Sequence, residues 1–308
     1  MGFLSGSLSC TRFNVVSLPE EVDFEKAAFR LIQPGSNITE SNGFVAFELE
    51  EPFEIGKNRY AFRVRMDKVN IDGTMVKERV RELIKQDIER GERMGPKKIK
   101  KLKDLAEQEI LSRSNPRSKI IEAVLDNDIL YVGSTSKGHL GVVLGLLKEV
   151  GVEVEYKTPW LDKGWDEEAN ELIDLKEPGQ SIYGCRFLKA LLEVEDFFVE
   201  PEKGSVKLAT ISNAKVTLAQ EVLGELDRYV EEGAELLSAK LLFNEIAFTF
   251  DGLAYRLNGL KLERVRGEHW TETLDERLDM LKAVWEQLDD QFDKLMKSEM
   301  DGAAATAD

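Results

Sequence analysis

The chain has 308 residues, 42% hydrophobic and 32% charged, with 42 Lys and Arg against 58 Asp and Glu for a formal net charge of −16. That composition excludes wholesale disorder, and the length admits one large domain or two to three small ones. Cys10 and Cys185 are the only cysteines and stand far apart, which excludes a disulfide framework and a zinc-ligand spacing and fits a reducing cytoplasm.

The opening residues show no charged segment followed by a long apolar run. No stretch approaches the roughly 20 apolar residues that span a bilayer, so no membrane partner is expected. Across the first 70 residues the pattern is that of short strands, with alternation at 44–49 and 60–66, loops at 33–37 and 55–58, and a faint helical spacing at 23–31. Asn37-Ile38-Thr39 fits a glycosylation triplet, which carries no meaning in a cytoplasmic protein.

From about Thr74 the period changes. Val76, Val80, Leu83, Ile84 and Ile88 fall on one helical stripe, and Gly95-Pro96 ends that helix and starts another. Ile99, Leu102, Leu105, Ala106 and Ile110 form the second stripe, which Asn115-Pro116 stops, so the spacing predicts an αα-hairpin over 74–116. Two strands follow at 119–125 and 128–133, joined by a tight turn at Asp126-Asn127. Ser134-Thr135-Ser136 precedes a helix over 137–150, Gly151 stops it, and a strand follows at 152–156.

Pro159, Pro178 and Gly179 mark loops in 158–200, where the apolar run 187–194 fits helix or strand. A helix is predicted at 218–237, a strand at 240–250, and a turn with a return strand at 252–262. Leu274, Leu278, Leu281, Val284, Trp285, Leu288 and Phe292 predict a C-terminal amphipathic helix, with a frayed tail at 302–308. The expected fold class is α+β: small mixed or antiparallel sheets with packed helices and a protruding basic hairpin. It divides into an N-terminal α+β region (1–73), the hairpin (74–118), a central α+β region (119–200) and a C-terminal α+β region (201–308).

The net charge of −16 argues globally against nucleic acid, since phosphate binding needs Lys and Arg. Its distribution reverses that argument. Residues 77–119 hold 14 basic and 8 acidic residues, net +6, which leaves 28 against 50 elsewhere, net −22. Within 90–103, Arg90, Arg93, Lys97, Lys98, Lys100, Lys101 and Lys103 face one acid, Glu92. A charged helical hairpin is often only a solvated face, and the interleaved Glu78, Glu82, Asp87 and Glu89 of the first helix suit that reading. The run Lys97 to Lys103 does not suit it, because like charges at i,i+4 cost about 0.2–0.5 kcal/mol per pair without helping the helix. No aromatic residue lies between Arg63 and Lys119, which disfavours base stacking and single strands. No array of base-reading side chains occurs at recognition-helix spacing, so the expected ligand is duplex DNA bound through phosphates, salt-sensitively and without sequence preference.

Catalytic motifs are sparse. Neither GxxxxGK[ST] nor GxGxxG occurs, and His139 and His269 are the only histidines, without a supporting triad motif. The expectation is a protein that is not an enzyme, with no catalytic residue, metal or cofactor. Two alternatives stay open: a Mg²⁺-dependent nuclease, because Asp128 with Glu155-Tyr156-Lys157 imitates an acid…(D/E)xK arrangement, and a protein-interaction module docking through the hairpin.

Residues 76–155 resemble the recombination-associated protein RdgC family in Glu109-Ile110-Leu111, Pro116-Arg117, Ile129-Leu130-Tyr131-Val132 with Ser134-Thr135-Ser136, and Leu140 to Leu147. Residues 216–262 are similar to the family's later stretch in Glu232-Gly233, Lys240-Leu241, Ile246 to Phe250 and Asp251-Gly252. The resemblance implies a nucleoid-associated homodimer closed into a ring, with duplex DNA passing through a positively lined hole and with helical fingers forming one contact between copies. It implies a role in recombination and replication, in which coating DNA restrains a RecA-type recombinase indirectly. Where the family often has an aromatic after the Pro-Arg pair, Ser118 and Lys119 follow Arg117 here. The family's later Lys-Gln pair, linked with DNA binding, maps onto Ala214-Lys215. The expected DNA contacts are therefore Arg90, Arg93, Lys97, Lys98, Lys100, Lys101, Lys103, Arg117 and Lys119, with Lys215 added by the resemblance.

Overall fold

The computed structural model describes residues 2–33, 36, 38–48, 51–212 and 214–297. The centre of the 33–37 loop, Asn37 of the triplet, and the 302–308 tail lie outside the described residues. Among those described, thirteen strands form one sheet in which every strand pair is antiparallel, accompanied by seven α-helices. The fold is mixed α+β, and its strands join in one continuous sheet rather than in several small ones.

The joint is the strand β1, Leu8–Ser17. After it come β2 (Glu40–Val45), β3 (Glu54–Gly56) and β4 (Arg59–Lys68), then α1 (Gly73–Glu89) and α2 (Pro96–Leu111). β5 (Arg117–Asp126), β6 (Ile129–Val132), α3 (Lys137–Glu149) and β7 (Glu153–Tyr156) complete the first half. The second half holds α4 (Pro159–Asp162), α5 (Ile182–Leu191), β8 (Phe198–Val199), β9 (Ser205–Ala209), β10 (Lys215–Ala219), α6 (Leu226–Glu231), β11 (Glu235–Phe243), β12 (Ile246–Asp251), β13 (Arg256–Leu260) and α7 (Trp270–Leu295). The strand order is β10-β9-β11-β12-β13-β1-β6-β5-β4-β2. β1 offers one edge to β6 through Thr11 to Asn14, and its other edge to β13 at Leu8 and Cys10 and then to β7 from Phe13 onward.

The two faces of β1 bury into different cores. Phe13 packs in the cluster under α3, where Leu140, Val143 and Leu147 cover Phe62, Val64, Ile121 and Ala123. Cys10 packs in the cluster under α7, all seven of whose predicted apolar residues are buried, each worth about 1.5–3 kcal/mol of transfer free energy. Arg12 enters that second core with Asp289, its two terminal guanidinium nitrogens reaching the carboxylate at 2.8 Å, and lies 4.0 Å from the centroid of the Trp285 ring. A buried charge with a bidentate partner satisfies the requirement that such a group be paired.

Several boundaries differ from the sequence expectations, each for a local reason. The 44–49 alternation becomes β2 at 40–45, and Phe47 instead leaves the sheet to stack on Trp270 at 5.3 Å. The 23–31 spacing yields one 3-10 turn, Phe24–Ala27. The turn after β5 is one residue later, at Asn127-Asp128, with Asn127 at φ 55. The ambiguous 187–194 run belongs to α5 through Leu191. The expected helix at 218–237 is broken: Gln220 at φ 53 ends β10, and a 3-10 turn, Gln220–Glu225, leads into the six-residue α6 before β11 begins. The expected strand 240–250 is two strands, because Asn244 and Glu245, at φ 45 and 65, form a two-residue hairpin turn.

Candidate nucleic-acid interface

β4 and β5 pair from Arg59 with Asp126 to Lys68 with Arg117, and the helical hairpin is inserted at the open end of this ribbon. Asp72 caps α1, its carboxylate accepting from the Thr74 N–H at 2.8 Å. The helices meet through their own small core of Val76, Leu83, Leu102, Ala106 and Ile110, separate from those of the sheet. Ile88, Ile99 and Leu105 stay exposed, so the predicted stripes are only partly used, and Met75 beside them is exposed too.

The hairpin is stapled at both ends. Near the sheet, Arg79 of α1 reaches Glu109 of α2 at 2.6 Å and Glu82 at 2.9 Å, and its guanidinium holds the Glu109 carboxyl below its ordinary pKa. At the far end α1 closes in a Schellman motif: Gly91 adopts φ 82, its N–H bonds to the Ile88 carbonyl, and the Glu92 N–H bonds to the Asp87 carbonyl. That geometry brings together the two positions that usually share a hydrophobic contact, yet here both are carboxylates. Lys98 resolves the repulsion, its ammonium lying 2.9 Å from Asp87 and also bonding Glu92, and these partners raise its pKa, Glu92 most.

Within 90–103, Arg93, Lys97, Lys100 and Lys101 have no ion-pair partner among the described residues, and all four are exposed. Lys97 and Lys101 stand one turn apart on the side of α2 opposite Leu102, Ala106 and Ile110, with Lys100 beside them. Arg90, 72% exposed, lies 4.0 Å from Asp87, and Lys103 lies 3.6 Å from Glu107. Lys98 alone is internally engaged by two acids, a role its place in the basic run conceals.

Arg117 and Lys119 begin β5 on the face that α3 covers farther along. Lys119 is close enough to His139 that its charge, after burial, contributes to lowering the His139 pKa. Lys215 begins β10, seven strand spacings from β5, or about 34 Å along the sheet at about 4.8 Å per strand. Within one copy, Lys215 and the hairpin are therefore separate surfaces.

The catalytic alternatives meet the following geometry. Ser134 Oγ lies 3.0 Å from His139 Nδ1, but Ser134 is buried and no carboxylate bonds the imidazole among the described residues. His269 caps α7, Nδ1 accepting from the Thr271 N–H. Lys157 bonds Asp162 at 2.7 Å, and among the described residues no three His, Cys, Asp or Glu converge as metal ligands would. Among the described residues no helix is long and apolar enough to cross a membrane. Compared with models of known families and with curated proteins, the chain matches none of either.

Proposed function

We propose that this protein binds double-stranded DNA without sequence preference, through phosphate contacts made by its helical hairpin, and that it is not an enzyme. The observation that carries the reading is the set of four cations without acid partners among the described residues, Arg93, Lys97, Lys100 and Lys101, on a rigidly stapled hairpin whose parent chain is otherwise net acidic. Cations with no internal acid keep their full charge for a polyanion, and an acidic remainder repels DNA everywhere else. Arg90 and Lys103 extend the same surface, Arg117 and Lys119 add cations at the base of the hairpin, and Lys98 shapes the turn. The absence of aromatics from the hairpin favours duplex phosphates over stacked single strands.

The resemblance to the RdgC family extends this reading to a nucleoid-associated homodimer, closed as a ring, that restrains a RecA-type recombinase by occupying duplex DNA. Lys215 enters the contact only in such an assembly. A second reading, a docking arm for a protein, draws on the exposed Met75, Ile88, Ile99 and Leu105 of the hairpin. Titration with linear duplex across a salt series separates the two. Salt-steep binding abolished by Lys97, Lys100 and Lys101→Glu supports DNA, whereas no wild-type binding at low salt overturns the DNA reading in favour of the docking arm.

A further inference from the structure

The two ends of the sheet are finished differently. At the β2 end the outer edge is covered by the chain itself: the Phe29 N–H bonds the Phe44 carbonyl, Ala28 bridges Phe44, and the Ser41 hydroxyl donates to the Arg30 carbonyl. At the other end, β10 pairs with β9 from Lys215 with Ala209 to Ala219 with Ser205, and no backbone hydrogen bond reaches its outer edge from any described residue. A bare edge is a template for another strand, and proteins blunt it with proline, bulges, charge or extreme shortness. β7 carries two glutamates in four residues and β8 is two residues long, but Lys-Val-Thr-Leu-Ala has one charge and no proline, and its pairing with β9 is unbroken.

Exposed apolar side chains stand at both ends of this strand. Ile211, just before it, is 68% exposed, and Val222, just after it, is 47% exposed. We propose that the β10 edge is a self-association surface, at which two copies pair β10 antiparallel about a two-fold axis through Thr217. The proposal locates the dimer contact that the proposed function invokes and rests on that reading only for the existence of a dimer, not for DNA.

The occupant is a second copy because the edge is complementary to itself. An antiparallel strand pair is isologous, so one strand serves both sides of the axis. In the register centred on Thr217, Lys215 of one copy faces Ala219 of the other and Val216 faces Leu218, so no like charges meet. Glu221 follows two residues beyond Ala219, which brings a carboxylate-bearing turn toward the lysine of the other copy. Five paired residues fall short of the roughly 1,200 Å² of a standard interface, and Ile211 and Val222 enlarge the patch. The expected association is reversible and weak. Lys215, Thr217 and Ala219 are exposed while Leu218 is buried, so substitution at Thr217 leaves the core intact.

The test is sedimentation of the full chain without DNA, from low to high micromolar concentration. Wild type is expected to shift from monomer to dimer. Thr217→Lys and Thr217→Glu, each placing like charges face to face, are expected to stay monomeric, and an equimolar mixture of the two to dimerise again. Thr217→Cys is expected to form a disulfide-linked dimer on mild oxidation, with no background from Cys10 and Cys185, which are buried. A wild-type dimer unchanged in both charge variants, with no cross-link at position 217, overturns the β10 surface but leaves the dimer. A wild-type monomer at every concentration overturns both the surface and the dimeric aspect of the proposed function, while DNA binding by that monomer is read separately.

Discussion

Lys98 stands in the middle of the basic run, yet its ammonium is held by Asp87 and Glu92, whereas Arg93, Lys97, Lys100 and Lys101 have no acid partner among the described residues. A cation that neutralises a phosphate releases counterions, so these four contacts contribute about −3.6 per finger to the slope of log affinity against log salt, at about −0.9 per contact, and the further cations of the surface add to it. Raising salt fourfold, from about 50 to about 200 mM, weakens wild-type binding by about 150-fold through these four contacts alone. Lys97, Lys100 and Lys101→Gln together remove three contacts, which flattens the slope by about 2.7 and shrinks the loss over the same interval by about 40-fold. Lys98→Gln is expected to lower affinity, because the two carboxylates at the turn lose their counter-charge and the tip loosens, while the slope stays at the wild-type value. Fluorescence anisotropy with labelled duplex at several salt concentrations measures the affinity and slope of each variant. A slope in Lys98→Gln reduced by as much as in Lys97→Gln refutes the separation of clamp from contact, and an unchanged slope in the triple variant refutes the contact surface itself.

His139 provides an independent reporter. Its pKa lies below the ordinary value because of burial and then the Lys119 charge, so phosphate at Lys119 is expected to raise it, as is Lys119→Gln. A proton NMR titration with two histidines reads this directly, and no movement at saturating duplex removes Lys119 from the interface. Because the folded value is depressed, the stabilising contribution of neutral His139 is present above about pH 6.5 and is lost as pH falls through the folded pKa. Gly184→Ala places a Cβ 1.9 Å from the Gly252 carbonyl oxygen, a backbone atom, and is expected to cost about 1–3 kcal/mol or more in urea unfolding. Gly141→Ala on α3 meets nothing within 4 Å and is expected to stabilise by about 0.5–1 kcal/mol; equal effects at the two positions contradict the packing described. Asp289→Ala strips Arg12 of its bidentate partner and is expected to cost about 3 kcal/mol, the lower end for a buried pair because Asp289 is 37% exposed. An unfolding midpoint equal to wild type contradicts that expectation.

The helices with uninterrupted apolar stripes were readable from the sequence. α1, α2, α3 and α7 lie within a few residues of their predicted spans, because Pro96, Gly151 and the spacing of Leu274 to Phe292 are local signals. What stayed hidden depended on distant partners. β1, the central strand, lacks a clean alternation because Arg12 occupies an inward position that only Asp289 and Trp285, far along the chain on α7, make tenable. β10 was masked by the leucines and valines after it, which mimic a helix until Gln220 turns the backbone. At the candidate interface the cations were legible as a run, but their division into free and clamped was not. The signal was Asp87 followed by Gly91-Glu92, a helix stop whose two acids require a cation.

The position of β1 also constrains how the chain acquires its structure. Leu8 and Cys10 leave the ribosome long before Leu260 and Leu257, with which they pair. The first half can assemble β1 with β4, β5, β6 and β7 while the α7-side pocket for Arg12 is still missing. Such long-range pairing slows folding and leaves a strand edge and a buried-type charge exposed in the interval. A nascent chain stalled near residue 200 is therefore a natural client for chaperones, and separately expressed halves are expected to recover solubility only when they are made together.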